Sequence, residues 1–414
     1  MSDFEQPSPS ESPLESSPRN NRARERHQRR KQKQQGMSTP LAASVPRTAL
    51  TPRQPRTSLP RSAACPINTK DFKMPEIPYL RQILLSAAGG AFMIFLIVLI
   101  GLTRQGAPQA PANALWLGQD WTQTTQTQED MDSLVRQMRE NEIGSVYAWV
   151  SWLQVNNTWA GTQPGTNTFL QVENEIQDFV TKFKATYPDA DLYGWIQVPA
   201  VLGDAGNRLG NDDLQQTIAE FSIELTTRFG FDGIFLDVDT IANGSESYLA
   251  ILRRIRAAVP EDALLAVALP PDWTPIGVDI PKPGGIEDGT AWDEPYKQRV
   301  ALLADQLVIR AYNSYLETPE DYVAWMAYQV EAYAKAIDAL ATGAEVVIGI
   351  PTYDDELPAH DVRVENIDTA VRGIRQGLEQ AGDARRAVEG VAIYADWQTD
   401  DVEWRQYQQQ WLGK

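Results

Sequence analysis

One cysteine and two histidines are all the thiol and imidazole side chains that this 414-residue chain contains. Cys65, standing alone, excludes an intramolecular disulfide and any cysteine-based zinc site. His27 and His360 cannot build a histidine-rich metal cage. No metal and no cofactor are expected. No Gly-rich phosphate loop follows the first strand-like run, which argues against a nucleotide-binding doubly wound sheet. No repeat with a period of about 20–50 residues is visible. Tryptophan is missing before residue 116, and all 12 lie from there onward. Acidic residues are scarce in the same early region. Residues 1–81 carry 15 Lys/Arg against 7 Asp/Glu, a balance of +8, while residues 82–414 carry 22 against 48, a balance of −26. The net charge of −18 therefore hides two opposite parts.

What is present begins with a membrane signal. From Ile83 to Leu102 runs ILLSAAGGAFMIFLIVLIGL, twenty residues without a charge, bracketed by Arg81 and Arg104. At ~1.5 Å per residue this matches a hydrocarbon core of ~30 Å. It predicts one transmembrane helix over 81–104, meeting the lipid bilayer through 83–102. The Arg/Lys excess before the span predicts a single-pass cell-membrane protein with a cytoplasmic N-terminus and an extracytoplasmic C-terminal domain. Residues 1–80, rich in Ser, Pro, Arg and Gln, read as a disordered basic tail. Its charge serves topology, and no specific nucleic-acid partner is expected. Residues 105–113 form a Pro/Gln/Ala linker before a folded domain over 114–414. The lack of cysteine in that domain fits an exported bacterial protein.

Within the domain lie eight strand-like runs: ALWLG (114–118), SVYAWVSW (145–152), DLYGWIQV (191–198), FDGIFLDVD (231–239), ALLAVALP (263–270), DQLVIRAYN (305–313), EVVIGIPTY (345–353) and GVAIYADW (390–397). Segments of helical period separate them, such as EDMDSLVRQMRE and YVAWMAYQVEAYAKAIDAL. This alternation predicts an α/β fold, a (β/α)8 TIM barrel.

In such a barrel the chemistry sits at the strands' C-terminal ends, and alternate residues face the lumen. On the fourth strand that parity turns Gly233, Phe235, Asp237 and Asp239 inward. Two carboxylates then point the same way, an arrangement that raises one of their pKa values. The sixth strand turns Arg310 and Tyr312 inward, and a buried arginine needs an anion, for which Asp237 or another lumen carboxylate is the natural partner, unless the arginine serves the substrate instead. Tyr353 marks the seventh exit, and Tyr394, Asp396 and Trp397 the eighth. Trp149, Trp152, Trp195, Trp273, Trp292 and Trp397 all fall at or just beyond strand ends. The long segment 271–298 is expected to fold over the mouth as one wall, with Trp273 and Trp292 facing the ligand. Flat rings and carboxylates together suit a sugar, whereas an acidic domain repels a phosphate-bearing substrate.

These residues resemble the chitinase-like glycoside hydrolase family 18. Its fourth-strand signature, Asp-Gly-x-Asp-x-Asp-x-Glu, is met here by Asp232-Gly233-Ile234-Phe235-Leu236-Asp237-Val238-Asp239. ALLAVALPP looks like the fifth-strand segment. DQLVIRAYN looks like a sixth strand ending Met-x-Tyr-Asp, with Tyr312 on the tyrosine and Asn313 on the aspartate. IGIPTY resembles the seventh strand's Gly-x-Pro-x-Tyr, and GVAIYADW the eighth, with Tyr394 in the place of a tryptophan floor. FDGIFLDVD also resembles the family 114-like polysaccharide hydrolases. The match spans about residues 231–397. It implies hydrolysis next to an N-acetylated sugar, with the substrate's own acetamido group as nucleophile. Asp239 would be the proton donor, Asp237 would orient the acetamido nitrogen, and Tyr312 would bond its carbonyl. Tyr394 and Trp397 would form the sugar floor; Trp149, Trp195, Trp273, Trp292, Arg310, Asn313, Tyr353 and Asp396 complete the expected substrate contacts. The implied partner is a polysaccharide or cell-wall glycan. The departures are Asp239 for Glu, Phe235 for Asp and Tyr394 for Trp. The shorter acid predicts slow hydrolysis. A non-catalytic glycan-binding barrel and a cell-envelope scaffold remain the alternatives.

Overall fold

The eight apolar runs pair as parallel strands: β1 Asn113–Leu117, β2 Ile143–Trp152, β3 Asp191–Pro199, β4 Gly233–Asp239, β5 Leu264–Leu269, β6 Gln306–Ile309, β7 Glu345–Pro351 and β8 Val388–Tyr394. They join in chain order, and β8 returns to β1, so the sheet is a closed barrel. The computed structural model describes residues 112–162, 172–201, 207–239, 241–271, 291–340, 343–354 and 359–414. The expected tail over 1–80, the span over 81–104, Trp273 and most of the segment 271–298 lie outside the described residues. Among the described residues, no helix is long and apolar enough to cross a membrane.

Helices fill the connections: α1 Gln119–Gln123, α2 Gln128–Glu140, α3 Glu173–Thr186, α4 Asp212–Ile223, α5 Glu246–Ala258, α6 Glu294–Ala301, α7 Pro319–Asp338, α8 Ile367–Ala381 and α9 Asp401–Tyr407. Their starts are written in the sequence. Thr127, Asn211, Ser245, Asp293, Thr318, Asn366 and Asp400 each accept a backbone N–H in the first turn of the helix that follows. Such a cap stabilises a helix by about 1 kcal/mol.

Strand parity divides the core in two. Ile234, Leu236 and Val238, with Val267, Ile348 and Ile393, pack against the helices. Trp116, Tyr147, Tyr193, Trp195 and Phe235 fill the lumen from β1 to β4, opposite Ala266, Ala268, Val308, Val347 and Ala392 from β5 to β8. Large side chains on one half of the barrel thus fill the space left by small ones on the other, which keeps the interior dense. Deep in the lumen the Tyr147 hydroxyl donates to Gln306. At the strand N-termini, Asp232 accepts the Leu192 N–H at 3.0 Å and pairs with Lys184 at 2.8 Å. Asp305 repeats the device, accepting the Leu265 N–H at 2.9 Å and pairing with Arg256. The fold therefore places eight strand ends around one mouth.

β6 is shorter than the apolar run 305–313 predicts. Sheet pairing stops at Ile309, after which Arg310 N–H bonds the Leu269 carbonyl at 3.1 Å and Ala311 N–H turns back to Ile309 at 2.9 Å. Arg310, Tyr312 and Asn313 consequently leave from the strand end as a rim loop.

Candidate functional site

One guanidinium organises the mouth. Arg310 Nη1 donates to Asp239 Oδ1 at 2.7 Å and to Asp237 Oδ1 at 3.1 Å. Asp237 and Asp239 sit on the lumen side of β4, as strand parity dictates, and differ in depth: their side chains are 6% and 46% exposed. Gln197, from the neighbouring β3, donates to the other Asp239 oxygen at 3.1 Å. Both oxygens of the outer carboxylate therefore already accept a hydrogen bond. Burial raises the Asp237 pKa and Asp239 adds to the rise, while Arg310 and the nearby Trp195 indole oppose it. That indole N–H is buried and closes no hydrogen bond of normal geometry. Burial alone would depress Arg310, but the two carboxylates more than reverse this and hold it firmly charged.

Aromatic rings surround this triad. Tyr312 and Tyr394 stack with centroids 4.7 Å apart and planes 17° apart. Tyr353 meets both edge-on, at 6.4 Å and 6.0 Å. Beneath them Trp116, from β1, presents its ring to Tyr147, Phe235, Tyr312 and Tyr394, forming the base of the mouth. Burial raises the pKa values of Tyr312 and Tyr394, so both remain neutral phenols at physiological pH. Gly349 on β7 makes room for Tyr312, since a Cβ there would stand 3.1 Å from the ring. Trp149 and Trp195 lie perpendicular at 4.6 Å on the β2–β3 side. Trp397 packs against Tyr394 at 5.7 Å and is 48% exposed. Trp152, at the end of β2, is also exposed.

Asn313 and Tyr353 meet at the β6–β7 rim, where the Tyr353 hydroxyl donates to Asn313 Oδ1. A non-proline cis peptide joins Tyr394 to Ala395 at the β8 exit.

Two expected ligand residues are placed otherwise. Trp292 is 3% exposed. Its indole donates to the Ile241 carbonyl at 3.0 Å, and its ring packs on Tyr248 and Tyr296. It offers no open face, so it packs the shell around α5 and α6 instead of walling a cleft. Asp396 has both oxygens engaged, by the Gly118 N–H at 2.9 Å and the Trp121 indole at 2.6 Å. It braces the β8 exit against the start of α1. Burial lifts its pKa to about 6, against the pull of its donors.

Several residues of the mouth escaped the sequence reading. Trp116 on β1 and Gln197 on β3 are lumen-side residues and Gly118 follows β1, so nothing in their local sequence sets them apart. Glu365 lies about fifty residues along the chain from Asn313 and Ser314, which donate to it. Among the described residues, no cluster of His, Cys, Asp or Glu could hold a metal ion.

No family model matches the sequence, and no curated protein matches it either. Solved barrels are similar in structure. A family 18 chitinase from Cycas revoluta, in complex with allosamidin, is 14% identical with a TM-score of 0.46, covering 72% of this chain and 99% of that one. A class V chitinase from Pseudomonas fluorescens Pf-5 is 14% identical with a TM-score of 0.45, over 72% and 99%. The spore cortex-lytic enzyme SleL of Bacillus megaterium QM B1551 is 12% identical with a TM-score of 0.42, over 72% and 73%. These likenesses carry no chemistry across; the (β/α)8 barrel rests on this chain's own closed sheet.

Proposed function

We propose that the barrel mouth binds a polysaccharide or cell-wall glycan, and that it binds more than it cleaves. The observation that carries this is the Tyr312–Tyr394 stack, flanked by Tyr353 and exposed Trp397, beside carboxylates held by Arg310. Flat apolar faces take the C–H face of a sugar ring, and fixed polar groups beside them take hydroxyls. An N-acetylhexosamine-containing polymer is the class that the sequence resemblance implies. A proton donor must offer a loaded oxygen within about 2.6–3.2 Å of the leaving group. Both Asp239 oxygens instead accept from Arg310 and Gln197, which favours recognition over turnover.

Slow hydrolysis is the second reading. The rise in the Asp237 pKa supports it, since burial keeps part of that carboxyl protonated closer to neutrality than an ordinary aspartate.

The membrane span over 83–102 and the extracytoplasmic domain belong to the same proposal, on the charge pattern alone. A protease added to intact cells should degrade the barrel and spare the tail over 1–80. Protection of the barrel would remove an external glycan from consideration.

The function is tested with the full-length protein on a glycan array and with a soluble N-acetylglucosamine tetramer. Saturable binding that weakens up to about tenfold in Trp397→Ala is expected, the scale of one lost aromatic contact. If no glycan binds, the reading fails. If wild type releases sugar and Asp239→Asn binds without releasing any, hydrolysis replaces binding as the function.

A further inference from the structure

Behind the β6–β7 rim lies a buried histidine–glutamate pair that the mouth does not itself use. The side chains of His360 and Glu365 are both fully buried, with His360 Nδ1 3.1 Å from Glu365 Oε2. Glu365 also accepts the N–H of Asn313 at 2.8 Å, the N–H of Ser314 at 2.6 Å and the Ser314 hydroxyl. Three donors thus converge on Glu365 from the preceding βα loop, and His360 joins them from Glu365's own loop after β7. A carboxylate can accept them all; a carboxamide must place an N–H2 group among donors. His360 Nε2 lies 3.0 Å from the Tyr353 carbonyl, so both ring nitrogens face acceptors.

The rim loop has an unusual backbone that matches this anion. Asn313 and Tyr315 have φ of 57° and 59°, left-handed values that non-glycine residues seldom adopt. Successive backbone N–H groups in such a turn form a concavity for an anion. Here the chain supplies its own anion, Glu365. The consequence reaches the mouth through Asn313, whose side-chain oxygen accepts the Tyr353 hydroxyl, while the Tyr353 ring rests 4.1 Å from His360. Tyr353 in turn stands edge-on to Tyr312 and Tyr394.

We infer that Glu365 is the positioning residue of the mouth: an internal carboxylate that locks the rim loop and thereby sets Asn313 and Tyr353 against the aromatic floor. It touches no ligand, being sealed from solvent. The role rests on the glycan-binding reading, but it is measurable without it. The Tyr353 hydroxyl is a spectroscopic reporter, because its hydrogen bond to Asn313 shifts the tyrosine ultraviolet resonance Raman bands, which Tyr353→Phe identifies.

The experiment compares full-length wild type, Glu365→Gln, Glu365→Ala and Ser314→Ala. Ser314→Ala removes one donor and keeps the carboxylate, so it provides a folded comparison if the Glu365 variants do not fold. Affinity for the N-acetylglucosamine tetramer should fall about tenfold in Glu365→Gln, the scale of one misplaced hydrogen bond, and a few-fold in Ser314→Ala. The Tyr353 signature should change in parallel. Added formate should restore part of both signals in Glu365→Ala by entering the vacated concavity. A purely structural pair would lower the melting temperature alone. Folded variants with wild-type affinity and an unchanged Tyr353 signature overturn the inference. If wild type binds no glycan, the glycan reading has failed, and the Tyr353 signature still decides the positioning role.

Discussion

Gly118 and Trp397 are in direct contact across the β1–β8 seam, so closely that a Cβ on Gly118 would stand 2.9 Å from Cε3 of the indole. The absence of a side chain at the β1 exit is what lets Trp397 lie beside Tyr394 at the mouth. Gly118→Ala must therefore push a rigid ring aside. Because Trp397 is half exposed, the ring can swing into solvent at little cost to folding. The expected outcome is a melting temperature within a few degrees of wild type and a loss of glycan affinity matching that of Trp397→Ala. A Gly118→Ala protein with undiminished affinity would remove Trp397 from the binding surface.

The shared guanidinium of Arg310 makes a second, energetic prediction. Removing one partner of a buried ion pair typically costs about 3–5 kcal/mol, because the remaining charge is left uncompensated. Arg310→Met should approach that range, since Asp237 is buried and Asp239 lies close by. Arg310→Met combined with Asp237→Asn should be less destabilised than Arg310→Met alone. Urea unfolding of the double-mutant cycle measures the difference. Simple additivity would mean that the two residues do not depend on each other for stability.

Trp292 and Trp397 give opposite expectations. Trp292 is sealed between α5 and α6 with its indole N–H satisfied, so Trp292→Ala should lower stability by about 3–5 kcal/mol. Its effect on glycan affinity, measured well below the unfolding transition, should be negligible. An affinity loss in a fully folded Trp292→Ala protein would restore the wall expected from the sequence.

That reversal shows where sequence patterns carry information here and where they do not. All eight strands are visible because alternation along each one is a local property, enforced by a lumen on one side and helices on the other. The facing of Asp237 and Asp239 follows from the same parity, which requires only a strand direction. The burial of Trp292 has no counterpart in a local pattern, because segment 271–298 lacks periodicity, although Asp293 and Pro295 carry an N-terminal helix signal that places α6 at Glu294. Nothing local in LVIRAYN marks the stop at Ile309, so the apolar run extends past the end of β6. The chain leaves the sheet there to meet Asp237, Asp239 and Glu365, three residues distant in sequence. Glu365 is marked by nothing local, because three of its four donors come from residues 313 and 314, which the barrel brings to it from the preceding βα loop.

Asp396 yields a prediction in pH. Burial raises its folded-state pKa from 3.8 to about 6, with the Gly118, Trp121 and Trp397 donors offsetting part of the rise. The folded protein therefore binds a proton more tightly than the unfolded chain. A carboxyl of this kind contributes stability that is full below about pH 3.8 and is lost as pH rises through about 6. Discounted for partial exposure, the contribution is on the order of 1–2 kcal/mol. Asp396→Asn has no proton to release and loses this dependence. Differential scanning calorimetry of the two proteins from pH 4 to pH 7 isolates the effect, since the other titrating groups are common to both. The wild-type melting temperature should fall relative to the variant by a few degrees across that window, at roughly 2–4 °C per kcal/mol. A constant difference, or one that grows in favour of wild type as pH rises, would mean that Asp396 is not a buried brace between β8 and α1.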